Sequence, residues 1–175
     1  TGNAPWYVSS ATTTVSSSDS LSGVGYVEYN QNGAGWQNGS SILSNDGVNT
    51  ISLRVYDAAG NVASGSVSVS VDTEPPMITP SMSGTAGSNG WMISTGTVSA
   101  GVSDATSGVS GGADVSLNGG SSWQSAPISL GDGVYSMTFR AFDVAGNEGR
   151  ASLNSSIDTI DPDLSFVFNG TPGMN

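Results

Sequence analysis

The chain has no cysteine, no histidine and no lysine. Without cysteine it can form neither disulfides nor thiolate metal sites. Without histidine it has no imidazole base and no His-ligated zinc or iron. The missing lysine excludes Schiff-base chemistry, a P-loop lysine and a Lys–Asn isopeptide cross-link. Arg54, Arg140 and Arg150 are its whole positive inventory, against fourteen acids, for a net charge of −11. Nucleic acid is therefore not an expected partner, since phosphate neutralisation needs basic side chains. Charged residues make up only 10% of the chain, where about 25% is usual. No apolar run approaches the ~18 residues of a membrane span. No secretory signal opens the sequence, which starts on Thr1 rather than Met and reads as a mature product or an excerpt. Serine is plentiful, yet it has no evident base to activate it.

What is present repeats. Trp6 recurs as Trp91, and "SDSLSGV" from Ser18 recurs as "SDATSGV" from Ser103. "NGAGWQ", ending at Gln37, returns as "NGGSSWQ", ending at Gln124. "DGVNTISLRVYDAAGN" from Asp46 returns as "DGVYSMTFRAFDVAGN" from Asp132, and "VDTEPP" from Val71 as "IDTIDP" from Ile157, at a constant offset of 86. The tail "DLSFVFNGTPGMN" aligns with "MITPSMSGTAGSN" at the same offset. A third repeat thus begins at the C-terminal end, while the first lacks its opening segment. The expected organisation is a repeat over 1–72 without its own first strand, a complete repeat over 73–158, and a linker plus first strand over 159–175.

Apolar residues alternate with period two. Ile51, Leu53 and Val55 interleave with Ser52, Arg54 and Tyr56, and Met137, Phe139 and Ala141 do the same. Turn signals such as "NDG", "GDG" and "DVAGN" separate the runs. About seven short strands per repeat follow. In the second repeat they are A near Met77–Ser83, B near Trp91–Val102, C near Ala113–Asn118, D and E after Trp123, F over Gly133–Phe142 and G over Glu148–Ile157. Strands this short, at this spacing, make a β-sandwich.

The recurrent "DGVxTxxxRxxDxAGN" followed by "VDTxxP" resembles the tandem immunoglobulin-like repeats of large bacterial surface and secreted proteins. The resemblance spans essentially the whole chain twice. It implies an all-β fold of tandem immunoglobulin-like sandwiches with an 86-residue period and an extracellular or cell-surface setting. Stalks, adhesin shafts, filaments, or spacers on secreted hydrolases are the implied roles, with no catalytic residues.

In such a sandwich strand A starts at the end bearing the B–C and F–G loops. The linker residues Asp72 and Glu74 then converge with Asp104 of the B–C loop and with Asp143 and Asn147 of the F–G loop. Hard oxygen ligands at a domain junction suit Ca²⁺, which takes 6–8 of them. Asp19, Asp57 and Asn61 are the equivalents in the first repeat, and Asp158 and Asp161 lie in the next linker. The competing reading is turn chemistry alone, since Asp and Asn in "DxAGN" stabilise tight turns through side-chain to backbone bonds. A glycosidase pair needs two acids facing one cleft, whereas most acids here recur at turns.

Trp36 and Trp123 follow Gly-rich turns, and Trp6 and Trp91 open strand B. Exposed, they would bind sugar rings and make the chain a carbohydrate- or surface-binding accessory module. A Trp recurring in every repeat reads instead as core or junction packing. Asn38, Asn154 and Asn169 begin glycosylation sequons, at a frequency close to chance in this composition.

The tail run Leu164–Phe168 is the most hydrophobic short segment. Leu164, Phe166 and Phe168 would lie in water unless strand A finds a sandwich to join. An edge of the first sandwich is expected to be open. A head-to-tail contact between identical copies, by strand addition, would propagate into a filament. A longer array would reach the same junction covalently. Neighbouring identical repeats or subunits are the expected partners, with a cell-surface or glycan ligand as the further candidate.

Overall fold

The computed structural model describes residues 6–171 and 173; the outermost residues of the first and last expected segments lie outside these. The described chain is all strand and turn. The first repeat contains β1 (Trp6–Tyr7), β2 (Ala11–Thr14), β3 (Val24–Gln31), β4 (Gln37–Asn38), β5 (Ser41–Ser44), β6 (Gly47–Asp57) and β7 (Val62–Val71). They form a five-stranded sheet in the order β1-β7-β6-β3-β4, faced by the pair β2-β5. The second repeat contains β8 (Met77–Ser83), β9 (Trp91–Met92), β10 (Gly96–Ser103), β11 (Asp114–Ser116), β12 (Gln124–Ser125), β13 (Ile128–Leu130), β14 (Gly133–Phe142) and β15 (Glu148–Ile157). Its large sheet has the order β12-β11-β14-β15-β9, and the facing sheet is β13-β10-β8.

The expected strands A, F and G coincide with β8, β14 and β15. Strand B does not begin at Trp91. Trp91 and Met92 pair in parallel with Ser156 and Ile157 of β15, and Trp6 and Tyr7 pair in parallel with Ser70 and Val71 of β7. The chain then crosses to the other sheet before β10 and β2 begin. The apolar alternation runs across this crossover, so it hides the change of sheet. The Trp side chains also lie outside both cores. Trp36 and Trp91 are 38% and 39% exposed, and Trp6 and Trp123 are half-buried.

The two cores differ. The second sandwich buries Val98, Ala113, Val115, Leu130, Met137, Phe139, Ala141 and Ile157, with Ile78 and Met82 of β8 packed on them. Among the described residues the first buries Ile42, Ile51, Val69 and Val71. Equivalent inward positions of the last strands show why. Gly149 of β15 is buried and Ala151 and Leu153 half-buried, whereas Ala63, Gly65 and Val67 of β7 are exposed. In the second sandwich β8 lies against β15 and β14 and pairs along β10 from Ser83↔Thr97 to Met77↔Ser103. In the first, β2 pairs with β5 alone among the described residues.

Candidate functional site

The site is built on the linker that leaves β7. Val71 is the last residue paired to β6, and the next two residues tie the two sandwiches together. Thr73 turns back to the first sandwich: its N–H and hydroxyl donate to the two carboxylate oxygens of Asp46, both at 3.0 Å. Asp72 bonds both ways, its N–H donating to the Tyr7 carbonyl of the first sandwich at 2.9 Å. Its Oδ2 accepts the Ser107 N–H at 2.9 Å, and its backbone oxygen accepts Asn147 Nδ2 at 2.9 Å. The linker is thus fastened on both sides, and its outgoing copy repeats the first half: Thr159 donates twice to Asp132 Oδ1, both at 2.8 Å. The sequence reading missed Asp46, Thr73, Ser107 and Asp132. The recurrence of Asp46 as Asp132 and of Thr73 as Thr159 was the available signal.

Asp143 and Asn147 close the turn after β14. Asp143 Oδ1 accepts the N–H groups of Gly146 and Asn147 at 2.6 and 2.9 Å, and Oδ2 accepts Asn147 Nδ2 at 2.7 Å. Gly146 has φ +105°, a backbone conformation that side chains disfavour. Asp104 Oδ1 accepts the N–H groups of Thr106 and Gly108 at 3.1 and 2.8 Å. Each Asp therefore performs the turn chemistry that the composition suggests. The loops are nevertheless arranged so that one oxygen from each of Asp72, Asp104 and Asp143 lies within 4.8 Å of the others. Asp72 and Asp143 are 0% and 2% exposed.

The remaining expected ligands are placed differently. Asn147 joins through its amide nitrogen, bonding Asp72, Asp143 and the Glu74 carbonyl. Glu74 takes part through its backbone, its N–H donating to Asp72 Oδ1 at 3.2 Å, and its carboxylate is not in the close group. None of the three arginines faces the cluster's carboxylates in an ion pair. Arg54 lies 3.8 Å over the Trp36 ring. Arg140 pairs with Asp114 at 3.2 Å and stacks 4.4 Å from Trp123. Arg150 pairs with Glu148 at 2.8 Å.

Three carboxylate oxygens within 4.8 Å of one another would supply part of the 6–8 oxygens that Ca²⁺ takes. The three carboxylates are held by backbone N–H groups and the Asn147 amide rather than by a side-chain cation. Glu74 and Asp72 carbonyls lie beside the group, but both accept from Asn147.

The first repeat carries two of these acids. Asp19 Oδ1 accepts the N–H groups of Leu21 and Gly23 at 3.1 and 2.9 Å, as Asp104 does for its loop. Asp57 takes the Asn61 N–H and Nδ2, both at 2.7 Å. The Gly23 amide chiefly, with that of Leu21, holds the Asp19 carboxyl below its ordinary 3.8. The Asn61 side chain does the same for Asp57. No described residue stands where Asp72 stands in the second repeat. Beside Asp19 and Asp57 opens a cleft of about 200 Å³ walled by Val24, Val55, Tyr56 and Ala63.

The sequence profile of the bacterial Ig-like domain family matches residues 7–73 and again residues 92–159. Among solved structures, the chain is similar to the fibronectin(III)-like modules of Clostridium thermocellum CbhA, at 14% identity, with 93% of each chain covered and a TM-score of 0.37. No curated protein matches the chain. Among the described residues no helix is long and apolar enough to cross a membrane.

Proposed function

Because the chain belongs to the bacterial Ig-like domain family, occurring twice in tandem, we propose that it is a non-catalytic structural unit of an extracellular or cell-surface rod, stalk or filament. The observation that carries this reading is the linker. Asp72 is bonded to both sandwiches, its N–H to the Tyr7 carbonyl of the first and its carboxylate to Ser107 of the second, and the adjacent Thr73 is bonded to the first. A flexible tether leaves such groups to water; here they fix the chain at both ends of a two-residue joint. The Thr159–Asp132 bonds prepare the same joint for a further unit.

Calcium bound by Asp72, Asp104 and Asp143 would brace the joint by neutralising buried like charges and tying the linker to both loops. High acidity with few cations keeps a long array soluble. Arg54 and Arg140 each cover one face of Trp36 and Trp123, which leaves the opposite indole face as the only one a carbohydrate-binding role would use.

Small-angle X-ray scattering of the purified chain tests the rod. The expected profile is elongated, with a maximum dimension close to two sandwiches laid end to end. A compact profile, with the sandwiches folded side by side, would overturn it.

A further inference from the structure

We propose that Tyr26 and Tyr56 form an oxidative cross-linking site. A one-electron oxidant of the haem-peroxidase class, with hydrogen peroxide, joins the two rings into a dityrosine staple across the first sandwich. The staple lies within one sandwich, so it stands or falls separately from the rod.

The sheet brings the rings together. β3 and β6 run antiparallel, and Tyr26 pairs directly with Tyr56. The Cβ atoms of such partners lie about 4.5–5.5 Å apart on one face of a sheet. The rings stack, with centroids 4.4 Å apart and planes 16° from parallel. Side chains alternate between the two faces of a strand. Tyr29 of β3 and Leu53 of β6 pack on the core, so Tyr26 and Tyr56, each an odd number of positions away, project from the outer face. Tyr26 is 48% exposed and Tyr56 is half-buried, which lets an oxidant reach the pair from solvent.

The other tyrosines are placed differently. Tyr7 is exposed, but its cross-strand partner is Val71. Tyr29 and Tyr135 donate their hydroxyls to Gln37 Oε1 at 3.0 Å and to the Gly131 carbonyl at 3.1 Å. Among the described residues Tyr26 and Tyr56 are the stacked pair. The pair does not recur: at the offset of 86, Gly112 and Phe142 stand in its place. The turn and linker acids recur in both sandwiches, so the shared fold does not require these two phenols.

The step balances. The oxidant takes one electron and one proton from each phenol. The two tyrosyl radicals couple through the ring carbon beside each hydroxyl-bearing carbon, forming one C–C bond. The hydrogens on the coupled carbons then move to the oxygens and restore both phenols. Hydrogen peroxide accepts the two electrons and two protons and becomes two water molecules. Coupling requires the rings to turn from stacked to edge-joined, and the solvent side of Tyr26 gives room for that turn. The new bond ties β3 to β6 in a chain that has no cysteine for a disulfide.

The test treats dilute native chain with a haem peroxidase and limiting hydrogen peroxide. The expected product is a monomer lighter by two hydrogen atoms, with the blue fluorescence of dityrosine and with Tyr26 joined to Tyr56 in its fragment masses. Tyr26→Phe and Tyr56→Phe each keep a ring in the stack and remove one phenol, so each should fold and lose the product. In the linked chain the first sandwich should unfold at a midpoint about 10 °C higher, because the bond constrains the unfolded chain as a disulfide does. Absence of dityrosine from the native chain would overturn the inference. So would dityrosine formed only between chains, at other tyrosines, or still within the Tyr26→Phe chain. A linked chain with an unchanged midpoint would overturn the staple.

Discussion

At the scale of single residues, Asp72 stands between two opposed effects. Two carboxylates about 5 Å apart repel by about 3 kcal/mol at an effective dielectric near 20, and Asp72 has two such neighbours. Replacing it with Asn keeps one acceptor and forgoes about 1–2 kcal/mol of charge-assisted hydrogen bonding. Repulsion is the larger quantity unless a cation cancels it. Asp72→Asn is therefore expected to raise the melting temperature in chelator and to lose the rise that calcium gives the native chain. Calorimetry with and without chelator checks both, and an equal loss of stability in the two conditions would contradict the calcium reading. Asp19 and Asp57 make the pH prediction. Their folded carboxyls titrate below 3.8, so each stabilises the folded state above that pH, and the contribution disappears as pH falls through the lower folded value. NMR titration should find both carboxyls titrating below the ordinary Asp range, and normal values would remove the turn bonds from the account. Of these residues the sequence showed the Asp positions through their recurrence. It did not show which oxygen of which loop meets which, because that depends on how the linker is held by Thr73, a residue with no chemical signature of its own.

At the scale of elements, β8, β14 and β15 were legible because alternation and turn chemistry agree over their whole length. The short β9 was not. A two-residue strand pairing in parallel across a sheet edge leaves no period to detect, and the apolar residues on either side of the crossover blend into one run. That Ala63, Gly65 and Val67 are exposed, where Gly149 is buried and Ala151 and Leu153 half-buried, emerges only when β7 is set beside β15. The seating of strand A has a single tight point. Gly149→Ala puts a methyl group against the Pro76 carbonyl, and overpacking of this kind costs about 1–3 kcal/mol. Urea denaturation should show the second sandwich weakened by that amount with the first unaffected, and an unchanged midpoint would mean that strand A is held loosely.

At the scale of the whole molecule, the two sandwiches are chemically alike and structurally unequal. One is closed by β8 on β10, and in the other, among the described residues, β2 pairs with β5 alone. Linker, loop carboxylates and strand A together make one joint, seen complete between the repeats and in half at the Thr159–Asp132 end. Mechanical reach depends on that joint being stiff, so its stiffness is the quantity to measure. Nitrogen-15 NMR relaxation of the native chain, read separately for each sandwich, does so directly. Both sandwiches are expected to share one anisotropic rotational diffusion tensor, and the double variant Asp72→Ala, Thr73→Gly is expected to split it into two faster, independent ones. Independent tumbling of the sandwiches in the native chain would contradict the rod.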